Sequence, residues 1–261
     1  MVEATGAASD GCARRLCAAL SSRAQEPGPR VDGAPRAEQV ARGMDIERQV
    51  MAPRFDDAFR SQLTQLFRWR RDVRRFRTEP VAEHTIRDLL AEADLAPSVG
   101  NSQPWRFVLV EDPQRRRRVR ESFARVNGTA LAGLSGERAR LYASLRLEGM
   151  DRAPVQLAVF CDETTTQGHG LGRLTMPETL RYSVVLAIGQ LWLAARARGL
   201  GLGWVSILEP QEVTRLCEVP PGWQFVAWLC LGWPEEEHED PELERAGWQA
   251  RTPLEGRILR R

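Results

Sequence analysis

Arg70-Arg71-Asp72-Val73-Arg74 sets three guanidiniums and one carboxylate within five positions. Upstream, Phe59, Leu63, Leu66 and Phe67 recur at helical spacing, which places the stretch at a helix end with Arg70 and Arg74 on one face. A guanidinium is a planar fork matched to phosphate oxygens, so Arg70, Arg71 and Arg74 suit the anionic tail of a cofactor. Asp72 stands among fixed positive charges and is expected to stay ionised, available as a base or a hydrogen-bond acceptor. The plainer alternative is a basic helix end whose aspartate is a surface ion-pair partner.

Downstream, Glu83 to Leu95 reads as an amphipathic helix with Ile86, Leu89, Leu90 and Ala93 inward, ended by Pro97. A loop from Ser98 to Pro104 precedes a strand from Trp105 to Val110. Pro113 opens a charged helix. Its Arg115 to Arg118 run fans round the axis without interleaved aromatics, favouring a solvated face over nucleic-acid binding. A helix is expected over Gly136 to Met150 and a buried strand over Val155 to Cys161. Thr164 to Met176, rich in Gly and Thr, suits a mobile loop over a site. Glu178 to Arg198 reads as the longest helix. Val184, Val185, Ala187, Ile188, Leu191, Trp192 and Ala195 make it central to the core.

Gly199 caps that helix, and Gly199, Gly201 and Gly203 lead into a strand, the reverse of the dinucleotide-binding order; they admit something flat or tightly packed. A helix over Pro210 to Cys217 and a strand over Gln224 to Gly232 complete the regular part. The acidic run Glu235 to Asp240 reads as a wet loop rather than a metal site. The tail from Pro241 to Arg261 carries enough apolar residues to pack on something, a partner subunit being the candidate.

Composition removes several function classes. The chain of 261 residues is 43% hydrophobic with a net charge of +2, which suits a globular fold and gives no general pull towards nucleic acid or membrane. All 37 basic residues are arginine, so there is no Walker-type phosphate loop and no lysine Schiff base. The five cysteines, Cys12, Cys17, Cys161, Cys217 and Cys230, form no Cys-x-x-Cys pair, and their number is odd. Idle thiols in a reducing compartment are expected. His84, His169 and His238 lie far apart, so no metal site is expected. No run is long and apolar enough to span a bilayer and no apolar leader is evident, which makes the cytoplasm the expected location. Residues 1–50 read as a flexible extension in which Met44 and Met51 are alternative starts, and 52–261 as the folded domain.

Over residues 52–255 the chain resembles the nitroreductase-like flavoprotein superfamily. Three stretches carry the likeness: Arg70-Arg71-x-x-Arg74, Pro97-Ser98-x-x-Asn101-x-Gln103-Pro104-Trp105, and Gly203 to Ile207. Details closer to the 5,6-dimethylbenzimidazole synthase branch are Asp72, where ordinary nitroreductases usually carry serine, Ala96-Pro97-Ser98-Val99-Gly100, and Leu147-Glu148-Gly149 followed by Ala153-Pro154. Gly203-Trp204-Val205-Ser206 and Trp228-Leu229-Cys230-Leu231-Gly232 belong with them. The resemblance implies an α+β fold with a mixed central sheet flanked by helices, in a homodimer with extended tails and FMN at the subunit interface. It also implies that reduced FMN is consumed with O2 as co-substrate, giving 5,6-dimethylbenzimidazole and erythrose 4-phosphate. A separate NAD(P)H-dependent flavin reductase would supply the reduced FMN.

Carried over residue by residue, Arg70, Arg71 and Arg74 match phosphate-side contacts, with Ser98 and Arg251 as further candidates. Val73, Asn101, Ser102, Gly203 and Trp204 match the flavin-contacting surface. Asp72 matches the acid beside the isoalloxazine and Ser206 the hydroxyl near its reactive edge; these two are the catalytic candidates. Ring fragmentation needs repeated proton removal and return, which a fixed carboxylate can serve, and a hydroxyl can hydrogen-bond the reacting edge. Plainer roles stand beside these: a strand-end hydroxyl for Ser206, a local turn for Ser98, core packing for Trp204. Two other functions are compatible with the residues. One is an FMN-dependent NAD(P)H nitro- or quinone reductase, the other a non-catalytic flavin-binding or arginine-rich interaction protein.

Overall fold

The computed structural model describes residues 52–261; the expected extension over residues 1–50, with Cys12 and Cys17, lies outside the described residues. In chain order the helices are α1 (Asp57–Trp69), α2 (Glu83–Asp94), α3 (Pro113–Ala132), α4 (Gly136–Ser144), α5 (Thr179–Ala197), α6 (Pro210–Cys217) and α7 (Glu242–Arg245). The strands are β1 (Trp105–Leu109), β2 (Val155–Asp162), β3 (Gly201–Val205) and β4 (Trp223–Gly232).

β2 is buried along its whole length, as a continuous apolar run requires when both faces of a strand are covered. It pairs antiparallel with β1 and β4, and β4 with β3, giving the order β1-β2-β4-β3. Because strand side chains alternate, β2 and β4 feed two cores. Leu157, Val159, Ala227, Leu229 and Leu231 meet α2 and α5 on one face through Leu89, Ile188 and Leu191. Ala158, Phe160, Trp228 and Cys230 meet α3 and α6 on the other through Val119, Phe123 and Val213. Each of these large side chains is worth about 1.5–3 kcal/mol on burial, so the two helical layers fix the sheet firmly.

The Arg-rich stretch departs from its expected helix. α1 ends at Trp69, and Arg70 is already extended, with φ −70° and ψ 115°. Asp72 bridges in parallel to Leu202 and Phe76 in antiparallel to Pro234. Arg70 and Arg74 therefore do not share a helix face. The cause is tertiary: Val73 N–H donates to the Leu202 carbonyl at 3.1 Å, so the edge of β3 takes a donor that another helical turn would have used. The strands themselves pair antiparallel; the parallel Asp72–Leu202 bridge is isolated and lies outside them.

Gly201 and Gly203 admit this segment. A Cβ on Gly203 would lie 2.1 Å from the Val73 carbonyl oxygen, and one on Gly201 2.6 Å from Val73 Cγ2. The tightly packed object expected against these glycines is thus the chain's own Arg-rich strand.

Other expectations change in detail. α4 stops at Ser144 rather than Met150, and α3, with 20 residues, is one longer than α5. α5 is central on one side only: Val184, Ala187, Ile188 and Leu191 are fully buried, while Tyr182, Val185 and Leu186 are exposed. In the Arg115–Arg118 run, Arg115 pairs with Glu218 at 2.6 Å, and Arg116 donates to the carbonyls of Val110 and Pro154. Only Arg117 and Arg118 form the solvated face. The acidic run is an exposed loop, as expected, and it also clasps the fold, since Glu235, Glu236 and Glu237 pair with Arg152, Arg75 and Arg196. Among the described residues no group of three His, Cys, Asp or Glu could hold a metal ion, and no helix is long and apolar enough to cross a membrane.

Candidate active site

The extended backbone from Arg70 to Arg74 lies along β3 and brings Asp72 to the start of Trp204. Asp72 is held by both carboxylate oxygens: Oδ1 accepts from the Trp204 backbone N–H at 2.8 Å and Oδ2 from Arg74 Nε at 3.0 Å. About a third of its side chain, 31%, stays accessible, so the carboxyl is fixed without being sealed. Burial pushes the Asp72 carboxyl up from its ordinary value, against the charge of Arg74, the Trp204 hydrogen bond and the charge of Arg70. Arg74 and Arg70 favour the ionised form, but desolvation by burial outweighs them, which counting the neighbouring charges does not foresee.

The three arginines separate. Arg71 donates to the carbonyls of Arg68, Arg70 and Glu239, so its donors are spent on backbone. Arg74 gives Nε to Asp72 and Nη1 to the Arg146 carbonyl at 2.7 Å, with only 12% of its side chain accessible. Arg70 makes no hydrogen bond from its guanidinium to the described residues and lies 4.8 Å from the centre of the Trp192 ring. Burial lowers its proton affinity, the nearby Arg251 charge lowers it further, and Asp72 opposes both. The charge of Arg251, far off in sequence, is felt at Arg71 as well.

Trp192, expected in the core, is partly buried against it and does more than pack. Its ring is the platform under Arg70, its indole N–H donates to the Arg71 carbonyl at 3.0 Å, and it lies 6.5 Å from Trp204. An indole on an apolar helix gave no sequence signal to distinguish these duties from packing. Trp204 keeps its packing role, while its backbone N–H serves Asp72. Val73 packs its side chain on Gly201. Ser206 follows the end of β3, exposed, and its hydroxyl has no hydrogen-bond partner among the described residues. The expected backbone-satisfying alternative is thereby absent.

The loop after Pro97 is a second, separate element. Gly100, Asn101 and Gln103 take φ values of 57°, 55° and 44°, a left-handed course that costs about 1–3 kcal/mol at each non-glycine position. Ser98 Oγ accepts from Gln103 N–H at 3.0 Å, which is the local-turn role. Gln167, from the Thr164–Met176 loop, braces it through the Asn101 carbonyl and Gln103 Oε1 at 2.9 and 2.8 Å. Val99 N–H donates to Ser183 Oγ at 3.0 Å, tying the loop to α5. The Ser102 hydroxyl is enclosed and unpartnered. Among the described residues no hydrogen bond joins Ser98, Asn101 or Ser102 to the Arg70–Arg74 stretch, so these three are not tied into the cluster around Asp72.

Comparison with known proteins gives this geometry its context. Residues 67–233 match the model of the nitroreductase family. A 5,6-dimethylbenzimidazole synthase of Rhodospirillum rubrum is 64% identical over 201 residues, covering 77% of this chain and 95% of the relative. One from Rhodobacter capsulatus is 51% identical over 201 residues, covering 77% and 97%. Among solved structures, an oxidised iodotyrosine deiodinase bound to FMN and 3-iodo-L-tyrosine aligns with a TM-score of 0.57 at 29% identity, covering 67% of this chain and 91% of that one. A BluB-like flavoprotein from Clostridium difficile aligns with a TM-score of 0.57 at 20% identity, covering 76% and 97%, and shows the shared fold.

Proposed function

We infer the reaction from one premise: the chain belongs to the nitroreductase family and, within it, to the 5,6-dimethylbenzimidazole synthases. It is an oxidoreductase acting on flavin, and its product is 5,6-dimethylbenzimidazole, the lower ligand of cobalamin. The observation that carries this is the 64% identity running over 95% of the Rhodospirillum rubrum relative. The finer reading is ours. FMN enters reduced and is consumed as substrate, O2 is the co-substrate, and erythrose 4-phosphate leaves with the benzimidazole.

The residues fit FMN on their own chemistry. Burial and the like charge of Arg251 both lower the proton affinity of Arg70, and Arg70 has uncommitted donors. An anion between them relieves that repulsion, so these two take the phosphate. Arg71, whose donors go to backbone carbonyls, and Arg74, held by Asp72 and the Arg146 carbonyl, are not needed for it. Reduced FMN, when bound, supplies the ring system and the electrons. Asp72 holds and returns protons at its oxygens, and its raised proton affinity brings it nearer to the working pH than an ordinary aspartate. Ser206, just past the end of β3, would offer its free hydroxyl to the reacting edge.

The site is completed in a homodimer. In support, Tyr182, Val185 and Leu186 form an exposed apolar stripe on α5, and the tail exposes Leu254, Ile258 and Leu259. A separate flavin reductase supplies the reduced FMN, and the reaction belongs in the cytoplasm. Supplying oxidised FMN with NAD(P)H and no reductase, against photoreduced FMN in air, tests the scheme. Product from the photoreduced flavin alone is expected. Steady NAD(P)H oxidation with the flavin intact would replace it with a nitro- or quinone-reductase activity.

A further inference from the structure

We propose that Arg74 is the positioning residue of Asp72 and not a phosphate ligand; this rests on the function proposed above. Three contacts carry it. Arg74 Nε donates to Asp72 Oδ2 at 3.0 Å, Arg74 Nη1 donates to the Arg146 carbonyl at 2.7 Å, and the Trp204 N–H takes Asp72 Oδ1 at 2.8 Å. The carboxyl is thus pinned at one oxygen by backbone and at the other by a side chain that is itself anchored 72 residues away in sequence. Arg74 is the less accessible partner, 12% against 31%, which is the arrangement of a support behind a working group. A phosphate would have to reach a guanidinium that is mostly buried and already oriented by Asp72 and the Arg146 carbonyl, whereas the guanidinium of Arg70 makes no hydrogen bond to the described residues.

Arg146 lies in the segment Leu145–Met150 between α4 and β2, which packs directly on the Asp72 strand. A Cβ on Gly149 would lie 2.4 Å from the Phe76 ring. The segment therefore sets where Arg74 ends and, through it, how the Asp72 carboxyl points. This gives a role to Leu147-Glu148-Gly149, which the function itself leaves unexplained.

The groups facing Asp72 are Arg70 and Arg74 on its own strand, the Trp204 N–H on β3 and the buried Cys230 thiol on β4. Arg74 is the largest influence favouring the ionised carboxylate. Removing it leaves desolvation less opposed, so the Asp72 titration should move further up.

The test compares wild type with Arg74→Met and Arg74→Lys. Asp72 is titrated in the flavin-free protein by infrared difference spectroscopy against Asp72→Asn, FMN affinity is read by fluorescence quenching, and product is measured at saturating reduced FMN. In Arg74→Met the Asp72 midpoint should rise by a unit or more, with FMN affinity within about threefold and product formation down tenfold or more. Arg74→Lys keeps the charge but has one ammonium for two acceptors, and should fall between and fold where the methionine variant fails. An unmoved Asp72 midpoint in the lysine and methionine variants, or a tenfold loss of FMN affinity with an unchanged saturated rate, would overturn the role of Arg74. Wild type that makes no benzimidazole would refute the proposed function instead, whichever way the titration moves.

Discussion

Gly203→Ala is the sharpest perturbation of the site's framework. The new Cβ would sit 2.1 Å from the Val73 carbonyl oxygen, and since real contacts stay above 3.0 Å the Arg-rich strand must retreat by about 0.9 Å. That retreat stretches the Val73–Leu202 hydrogen bond from 3.1 Å and the Asp72–Trp204 bond from 2.8 Å beyond useful range. Two lost bonds at about 1 kcal/mol each and overpacking strain of about 1–3 kcal/mol give a destabilisation of about 3–5 kcal/mol. That is a large part of the roughly 5–15 kcal/mol that holds a domain together. Urea denaturation measures it, with Gly128→Ala as control. Gly128 lies exposed in α3 with open space around its Cα, so alanine should add about 0.5–1 kcal/mol there. A Gly203→Ala protein within about 0.5 kcal/mol of wild type would refute the claim that this glycine exists to admit the Asp72 strand.

Four further outcomes are expected. Arg70→Gln should weaken FMN binding by tenfold or more in a fluorescence titration. Arg71→Gln should change it less than threefold and instead lower the urea midpoint, because its donors tie the Glu239 carbonyl to the strand. Asp72→Asn should retain FMN and lose product, as seen by chromatography, since the arginines remain; a normal rate would remove Asp72 from the chemistry. Burial pushes the Cys161 thiol from 9.0 up to about 12. The native thiol keeps its proton where the unfolded one loses it, so this contribution to stability is whole below pH 9.0 and lost as the pH rises towards about 12. Iodoacetamide at pH 9 should label Cys161 only in denaturant, and native labelling would contradict that burial.

What was legible in the sequence was what local pattern controls. The apolar run at Val155, the helix from Pro210 to Cys217 and the Gly199 cap, with φ 74°, follow from side-chain period, proline and chirality. The grouping of Arg70, Asp72 and Arg251 was reachable by resemblance alone, since nothing between them in the chain joins them. Local pattern failed where a distant edge decided the conformation. Residues 70–74 had every reason to continue α1 until β3 offered Leu202. The duties of Arg71, Arg74 and Trp192 were hidden for the same reason: their acceptors and stacking partners are backbone carbonyls and side chains that only tertiary structure brings near. Desolvation of Asp72 was equally invisible, because counting charges says nothing about lost water. The exposed stripe on α5 was hidden because hydrophobicity alone does not say which side of a helix the sheet covers.

The central claim is that this chain dismantles reduced FMN. The direct measurement mixes purified protein with anaerobically reduced FMN, admits air, and follows small molecules by chromatography with mass detection. The account predicts 5,6-dimethylbenzimidazole rising in step with the flavin lost. Flavin returned intact in its oxidised form, with no ring fragments, would contradict it.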